Sequence, residues 1–359
     1  MRILFEICHP AHVHYFKNVI KLLQKEGNEV LVLAQNRGII LELLDTYKID
    51  YIVFKNSPKG LIKKVFYIFK IDAFFFKYVK TFKPDLLVGF SGAYVSHMSF
   101  LFRKKSIIFD DTEHATFQRW AYKPFATTIL TPNCYKKDLG KKHIRFKGYM
   151  ELFYLHPTFF KRESLSKTEL QVHPKKKNVL IRFVFWRASH DVGQNGFNLA
   201  EKIKLIKNLS VNYNIIISSE EDLPKELEKY QYKIKPSLMH QLMCSVDLFI
   251  GEGATMASEC AILGTPFIYV NSLKLCYVEE QINVYGSGIE FSNGQGVLEK
   301  AKEILSQENF IPLENKNKII NENIDVTTFL FWFLKDYPKS KEIMHSNPAY
   351  QNRFIINSQ

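Results

Sequence analysis

A glycine-rich segment in the second half of the chain has the composition of a phosphate site. It reads GEGATMASECAILGTP, from 251 to 266, directly after the apolar run VDLFI. Small residues opening a helix leave backbone N–H groups accessible to an anion, which the helix dipole also favours. The residues predicted to bind a diphosphate are Gly251, Gly253, Ala254 and Thr255, with Glu259 one helical turn further on to accept hydrogen bonds from a ribose diol. The alternative is an ordinary tight turn with Glu259 solvated.

Three histidines lie in the polar turn HPAHVH, which follows the first apolar run. His9, His12 or His14 could act as a base on an acceptor hydroxyl or steady a phosphate. We expect no metal site, because no cysteine or carboxylate stands at a zinc-binding spacing from them. The alternative for each is a loop histidine bonded to the backbone.

A cluster of acids follows the apolar run KSIIF. Asp110, Asp111 and Glu113 are close in sequence, and His114 comes next. Neighbouring carboxylates repel one another, which raises the pKa of at least one of them and suits acid or base chemistry. The alternative is the start of a helix, with Asp111 or Thr112 as its N-cap. Both interpretations can hold together, since a cap accounts for one acid only.

A second polar group follows the first apolar run of the second half. It contains Arg182, Arg187 and His190. An arginine there could offset the charge of a departing diphosphate. A surface ion pair of Arg187 with Asp191 is the alternative.

The segment from 57 to 83 alternates lysines with aromatic residues. Such a segment can lie on an anionic membrane surface, or it can be an edge helix that packs its phenylalanines inward and leaves its lysines solvated. Nucleic acid is not an expected partner, because no recognised binding motif accompanies the charge.

Composition indicates a folded protein with polyanionic partners. The 359 residues include 49 Lys and Arg against 36 Asp and Glu, a net charge of +13. Such a surplus favours phosphates or anionic lipid. The five cysteines are scattered, which predicts free thiols and a reducing compartment. Without a signal-like or membrane-spanning apolar run, the expected location is the cytoplasm, with peripheral contact at the inner face of the membrane.

Apolar runs and amphipathic stretches alternate along both halves, which predicts an α/β protein with two doubly wound domains. The expected divisions are a first Rossmann-like domain at 1–158, a linker at 159–177, a second Rossmann-like domain at 178–324 and a helical tail at 325–359. The sequence does not decide which domain the tail packs on.

These motifs together resemble domain-of-unknown-function family 354, of the GT-B glycosyltransferase and epimerase type. The similar segments are HPAHVHYFKN (9–18), DDTEHA (110–115), GYMELFYLHP (148–157), HDVGQNG (190–196) and GEGATMASE (251–259). The resemblance implies two domains facing across a cleft that holds the active site, a nucleotide sugar on the second domain, acceptor contacts from the first and no obligatory cofactor or metal. It gives the phosphate role to Gly253–Thr255 and the ribose role to Glu259.

Two chemistries share this architecture. The favoured one is glycosyl transfer from a nucleotide sugar, most simply a UDP-sugar, to a glycan or lipid-linked acceptor in surface polysaccharide biosynthesis. Its candidate bases are His12, Asp111 and Glu113, and Arg187 would offset the departing charge. The acceptor side would comprise His9, His14, Asp110 and His114.

The second chemistry is that of a non-hydrolysing UDP-N-acetylglucosamine 2-epimerase. Its site is similar at Glu113 and His190, but its glutamate-rich second segment has no counterpart between 115 and 135. A non-catalytic protein that binds polyanions or lipid is a third interpretation, and it leaves the acid cluster without a purpose.

Overall fold

The computed structural model of the chain describes residues 1–56, 61–183, 196–219, 223–311, 315 and 317–356, with side chains omitted for 61–66. Two compact units form, Met1–His156 together with Asn323–Gln359, and Pro157–Glu322. Residues 159–177, which we expected to form a linker, belong to the second unit and form hydrogen bonds within it. There the Arg162 guanidinium donates to the Ile262 carbonyl at 2.7 Å.

The first unit is built on a seven-stranded sheet in which every neighbouring pair is parallel. Its strands are β1 (Arg2–Ile7), β2 (Glu29–Gln35), β3 (Ile52–Phe54), β4 (Leu86–Phe90), β5 (Lys105–Phe109), β6 (Thr128–Pro132) and β7 (His143–Phe146). The strand order is β3-β2-β1-β4-β5-β6-β7. The order reverses at β1, and in open α/β sheets ligands bind beyond the carboxyl ends of the strands at such a point.

Helices cover both faces of this sheet. They are α1 (Pro10–Lys25), α2 (Gly38–Thr46), α3 (Leu61–Phe82), α4 (Ala93–Leu101), α5 (Thr116–Tyr122) and α6 (Leu152–Leu155). One face carries a core formed by α3, α4 and α5, with Phe75, Val95 and Tyr122 among its buried side chains. Burial of such apolar surface is the main force that holds the layers together.

The C-terminal tail packs on the first unit, which the sequence left open. Its helices are α13 (Val326–Lys335) and α14 (Lys339–Ser346), followed by a 3-10 segment (Pro348–Phe354). Phe329 of α13 stacks on Phe146 of β7, and the Thr327 hydroxyl donates to the Phe153 carbonyl at 2.6 Å. The chain therefore returns to the unit in which it began.

The second unit has a five-stranded parallel sheet in the order β12-β11-β10-β8-β9. Its strands are β8 (Asn178–Arg182), β9 (Asn214–Ser218), β10 (Leu248–Gly251), β11 (Phe267–Val270) and β12 (Gly288–Phe291). Its helices are α7 (Leu199–Leu209), α8 (Met239–Cys244), α9 (Ala254–Leu263), α10 (Cys276–Asn283), α11 (Val297–Ser306) and α12 (Lys318–Glu322). Here the order reverses between β8 and β10, so ligand contacts are expected at their carboxyl ends.

The segment predicted from 57 to 83 contains the long helix α3. Among its described side chains, Tyr67, Ile71, Phe75 and Val79 are buried, whereas Phe69 and Phe76 face solvent. The helix therefore has two apolar sides and only one is packed. None of the helices in the described ranges is long and apolar enough to cross a membrane.

Candidate functional site

The glycine-rich segment lies where the sequence predicts, between β10 and α9. Gly253 is the N-cap of α9, and no side chain caps this helix. The backbone N–H groups of its first turn, at Ala254 and Thr255, therefore have no capping side chain. Gly251 cannot carry a side chain without movement of its neighbour, because an added Cβ would lie 2.4 Å from the Phe249 ring. The small residues thus meet both a steric need and the requirements of an anion site.

Glu252, which sequence reasoning missed, holds this loop in place. Its side chain is buried, with Oε1 accepting from the Phe197 backbone N–H at 2.9 Å and Oε2 lying 3.2 Å from Lys202 Nζ. Its carbonyl accepts from Asn271 Nδ2 at 3.1 Å. A buried carboxylate needs such partners to offset its lost hydration. The available signal was an acid between two glycines at a strand end.

Arg182 ends β8 beside the glycine segment. In the register of the sheet Arg182 is the partner of Gly251, and its carbonyl accepts from the Glu252 N–H at 3.4 Å. Its guanidinium Nη1 donates to Ser218 Oγ at the end of β9, at 2.8 Å. The carboxyl edge of this sheet therefore carries a half-buried cation next to an uncapped helix N-terminus.

Glu259 lies on the second turn of α9, as predicted, but it is buried. Its Oε1 is 3.0 Å from Nε2 of His240, a buried residue of α8. Sequence reasoning missed His240, because no local pattern links it to a residue 19 positions away. The ribose role of Glu259 stays a prediction. It requires the ribose hydroxyls to donate hydrogen bonds to the same carboxylate that contacts His240.

Glu6 is the second missed acid and lies on β1, at the reversal point of the first sheet. Its carboxylate is buried, accepting from the Val95 backbone N–H in the first turn of α4 at 3.1 Å and from Cys8 Sγ at 3.4 Å. Burial raises its pKa to about 7, partly offset by these hydrogen bonds. Gly92 leaves room for it, since a Cβ there would lie 2.8 Å from Glu6 Oε2.

The three histidines of the first turn have different environments. His9 is exposed and caps α1, its Nδ1 accepting from the Ala11 N–H at 3.2 Å. His12 is buried, and its Nδ1 accepts from the Cys8 N–H at 3.3 Å. Burial lowers the pKa of His12 well below its ordinary value, and the charges of His9 and Arg37 lower it further. His14 is buried among aromatic rings, 5.1 Å from the Tyr154 ring centre.

The hydrogen bond at Nδ1 decides what His12 can do. A neutral imidazole that accepts at Nδ1 carries its proton on Nε2. His12 is therefore a neutral hydrogen-bond donor through Nε2, suited to a phosphate or hydroxyl oxygen rather than to removing a proton.

Asp110 and Asp111 follow β5 and have different roles. Asp110 is fully buried, and its carboxylate accepts from the Thr112 N–H at 2.9 Å, from the Tyr122 hydroxyl and from the Tyr135 hydroxyl at 3.3 Å. Burial raises the pKa of Asp110, and these hydrogen bonds act in the opposite direction. Burial also raises the pKa of Asp111 to about 7, and the neighbouring Asp110 charge adds to this. A pKa of about 7 suits Asp111 to proton transfer near neutrality.

Glu113 and His114 complete the predicted cluster. The Glu113 carboxylate accepts from the Lys136 backbone N–H, and its carbonyl accepts from Arg119 Nη1 at 3.0 Å. These bonds tie the loop to α5 and to the segment after β6. His114 is half-buried on the same loop. The predicted cap at Asp111 or Thr112 is wrong, because α5 begins at Thr116 with Ala115 as its N-cap.

Two predicted catalytic residues, Arg187 and His190, lie outside the described residues. Within the described ranges, no group of three or more His, Cys, Asp and Glu side chains could hold a metal ion.

Solved structures of two enzyme classes have a similar fold. One is a Listeria monocytogenes protein described as a UDP-N-acetylglucosamine 2-epimerase, with TM-score 0.65 and 11% identity, covering 89% of this chain and 90% of that chain. Another is the UDP-GlcNAc 2-epimerase of Neisseria meningitidis bound to UDP-GlcNAc, with TM-score 0.57 and 14% identity over 92% and 100%. The spinosyn rhamnosyltransferase complexed with spinosyn aglycone has TM-score 0.59 and 12% identity over 92% and 99%.

At identities this low, the structural similarity establishes the fold alone, which is an α/β fold of the GT-B type. The sequence itself matches the family described as "Protein of unknown function (DUF354)" over residues 1–327, which confirms the resemblance inferred from the motifs. The chain belongs to this family.

Proposed function

We propose that this protein is a glycosyltransferase that uses a nucleotide sugar, and that the donor diphosphate binds at the carboxyl edge of the second unit's sheet. The observation that carries this proposal is a difference in charge between the residue pairs at the reversal points of the two sheets. Glu6 pairs with Gly89 between β1 and β4, and Arg182 pairs with Gly251 between β8 and β10.

Each pair joins the two strands at the reversal point of its sheet, and its glycine precedes the N-cap of the next helix by two or three residues. In the first unit an acid occupies this position, and its carboxylate bonds to the N-terminal turn of α4. It neutralises the helix dipole there and repels phosphate. In the second unit an arginine occupies the position, and the following helix α9 has no side-chain cap. This edge attracts a diphosphate through both features.

The chemical roles follow from the local environments. The Asp111 carboxylate removes the proton from the acceptor hydroxyl, whose oxygen forms the new bond to the anomeric carbon. The bond from that carbon to the diphosphate breaks, and the leaving group takes the electron pair. Arg182 and the N–H groups at Ala254 and Thr255 offset its negative charge. His12, a neutral donor, holds an oxygen of the acceptor.

The finer identity of the substrates belongs to the same proposal. The proposed donor is a UDP-sugar, because the similar Neisseria meningitidis epimerase binds UDP-GlcNAc, and the proposed role of Glu259 on the second turn of α9 is to accept from the ribose. The acceptor is a glycan or a lipid-linked glycan, with His9, His14, Asp110 and His114 on the acceptor side. Surface polysaccharide biosynthesis is the process that such an acceptor would serve.

Thermal denaturation in the presence of UDP, GDP, CDP and their sugar conjugates tests the nucleotide site. A ligand at 100 times its Kd adds roughly 2.7 kcal/mol to stability. We expect a selective shift with the uridine compounds, and a Kd at least about tenfold weaker for Arg182→Ala, because a charge-assisted contact contributes about 1.5–3 kcal/mol.

Lys207→Ala is the matched control. This lysine also belongs to the second unit, but it forms an exposed pair with Glu226 at 3.0 Å. Its removal should leave the nucleotide shift unchanged. Equal loss of binding in both variants, or no shift with any nucleotide, would contradict the proposed site. Glu259→Gln, which keeps a hydrogen bond to His240, should weaken nucleosides with a ribose diol more than their 2′-deoxy analogues.

Epimerisation of a UDP-sugar is the second candidate, and Asp111 is the observation that favours it. A carboxyl with a pKa of about 7 is present in both protonation states at neutral pH, so it can take up and return a proton. Incubation with UDP-N-acetylglucosamine and no acceptor separates the two functions. An epimerase converts the sugar under these conditions, whereas a transferase at most hydrolyses it slowly.

A further inference from the structure

Six exposed apolar side chains lie on the helices that cover one face of the first unit's sheet. Phe117 and Trp120 of α5 are 79% and 77% exposed, values unusual for such large side chains. The others are Phe69 and Phe76 of α3, and Phe100 and Leu101 of α4. We call these six residues the aromatic face.

The three helices form one continuous layer. Their inner sides share a single core, in which Phe75 of α3, Met98 of α4 and Tyr122 of α5 are buried. The Phe76 ring of α3 lies 5.0 Å from the half-buried Phe102 ring at the end of α4, and the Phe100 ring of α4 lies 5.5 Å from the half-buried Phe125 ring, which follows α5. These contacts connect the exposed rings of α3 and α4 to the neighbouring elements of the layer. A grouping of this kind is typical of an interaction surface rather than of solvated surface.

Basic side chains border the aromatic face. Lys70, Lys77 and Lys80 are exposed on α3, and Arg103 and Lys105 are exposed after α4. Lysines and arginines beside exposed aromatic residues match the chemistry of an anionic bilayer, in which rings enter the headgroup region and ammonium groups meet phosphates.

Acidic groups on this layer do not cancel the positive charge. Within the described side chains of α3, Asp72 is the acid, and it lies 3.0 Å from His97 of α4. Burial lowers the pKa of His97, but the hydrogen bond and charge of Asp72 outweigh this effect and raise it, so the Asp72 carboxylate has a local partner on α4. The exposed lysines of α3 therefore keep their charge for an outside partner.

We infer that the aromatic face docks on the surface of an anionic lipid bilayer. The inference rests on exposure and charge in the first unit and does not depend on the nucleotide site of the second. If the proposed transferase function holds, docking brings the acceptor side to a lipid-linked substrate.

Flotation with vesicles of equimolar phosphatidylcholine and phosphatidylglycerol tests this, with pure phosphatidylcholine vesicles as comparison. We expect binding to the mixed vesicles and a loss of at least about tenfold in affinity for Phe117→Ser/Trp120→Ser, from the apolar area withdrawn from the membrane. Lys77→Gln/Lys80→Gln should weaken binding to the mixed vesicles about fivefold per lysine, and added salt should also weaken it.

Val211→Ser is the matched control, because Val211 is 69% exposed on the second unit. It should bind vesicles as the parent protein does. A blue shift of tryptophan emission on vesicle addition, lost in Trp120→Phe while flotation persists, would report entry of this ring into the bilayer.

Three outcomes would overturn the inference. They are equal binding to both vesicle types, no binding at low salt, and a dimer in solution that Phe117→Ser/Trp120→Ser makes monomeric. The same variants are titrated with UDP. A variant that loses vesicle binding but keeps its UDP-induced thermal shift tests the membrane surface alone. The failure of one proposal can therefore be distinguished from the failure of the other.

Discussion

Replacement of Glu6 by glutamine should remove a pH-dependent loss of stability. Burial raises the pKa of this carboxyl from 4.5 to about 7. An acid with a raised pKa binds its proton more tightly in the folded chain, so its contribution to stability is complete below pH 4.5 and is lost as pH rises to about 7. At 1.36 kcal/mol per pKa unit, the loss is about 3 kcal/mol of unfolding free energy. Glutamine has no proton to lose and can still accept from the Val95 N–H.

The assay is urea unfolding followed by circular dichroism between pH 4 and pH 8. The difference in stability between Glu6→Gln and the parent should change by about 3 kcal/mol in favour of the variant over this range. The raised pKa of Asp111 gives both proteins a similar slope, which cancels in the difference. Glu303→Gln, an exposed acid, should show no such change. Parallel curves for Glu6→Gln and the parent would refute the reasoning, because the buried carboxyl would then ionise without penalty.

Two further predictions concern other carboxylates. With an active donor and acceptor, Asp111→Asn should lower kcat about 10²- to 10⁴-fold and abolish the rise in rate through pH 7, and an unchanged pH profile would exclude this group as the base. Glu252→Ala should lower the unfolding free energy by about 3–5 kcal/mol, because Lys202 loses its buried partner. Glu303→Ala breaks a pair of the same type at the surface and should change it by less than about 1 kcal/mol, so equal effects in denaturant titrations would contradict the argument.

The edges that carry the candidate site could be predicted from sequence because topology determines them. Apolar runs separated by amphipathic stretches predict parallel sheets, and in a parallel sheet every strand ends at the same edge. Residues at or just after the end of a strand, such as Arg182, Asp111 and Gly253, therefore lie at that edge whatever the details of packing. The motif set also identified the family.

Partners that are distant in the chain could not be predicted in this way. His240 meets Glu259 only because α8 and α9 pack together, and Lys202 of α7 reaches Glu252 in the loop after β10. Hydrophobic periodicity reports which side of a helix is buried but not which helix it faces. Side-chain pairs between helices therefore required the structure.

At the helix start after β5, tertiary contacts override the capping preference of the local residues. Asp111 and Thr112 are favourable N-caps by residue type. In the folded chain Asp110 binds the Thr112 N–H and the hydroxyls of Tyr122 and Tyr135, which holds the loop out of helical geometry. A buried carboxylate without those partners would cost more than a cap contributes, so the helix begins later.

The free-energy cost of a buried carboxylate also bears on why β1 contains an acid. Glutamine at position 6 would accept the Val95 hydrogen bond and avoid an ionisation penalty of about 3 kcal/mol, a large share of the stability of an ordinary domain. Such a penalty is a frequent property of functional positions. When ionised, the Glu6 carboxylate also places negative charge against the α4 helix start, whereas the second unit has Arg182 at the reversal point of its sheet. If the proposed function holds, the cost of the buried acid fits selection for a first unit that disfavours phosphate, with the nucleotide bound at the edge of the second.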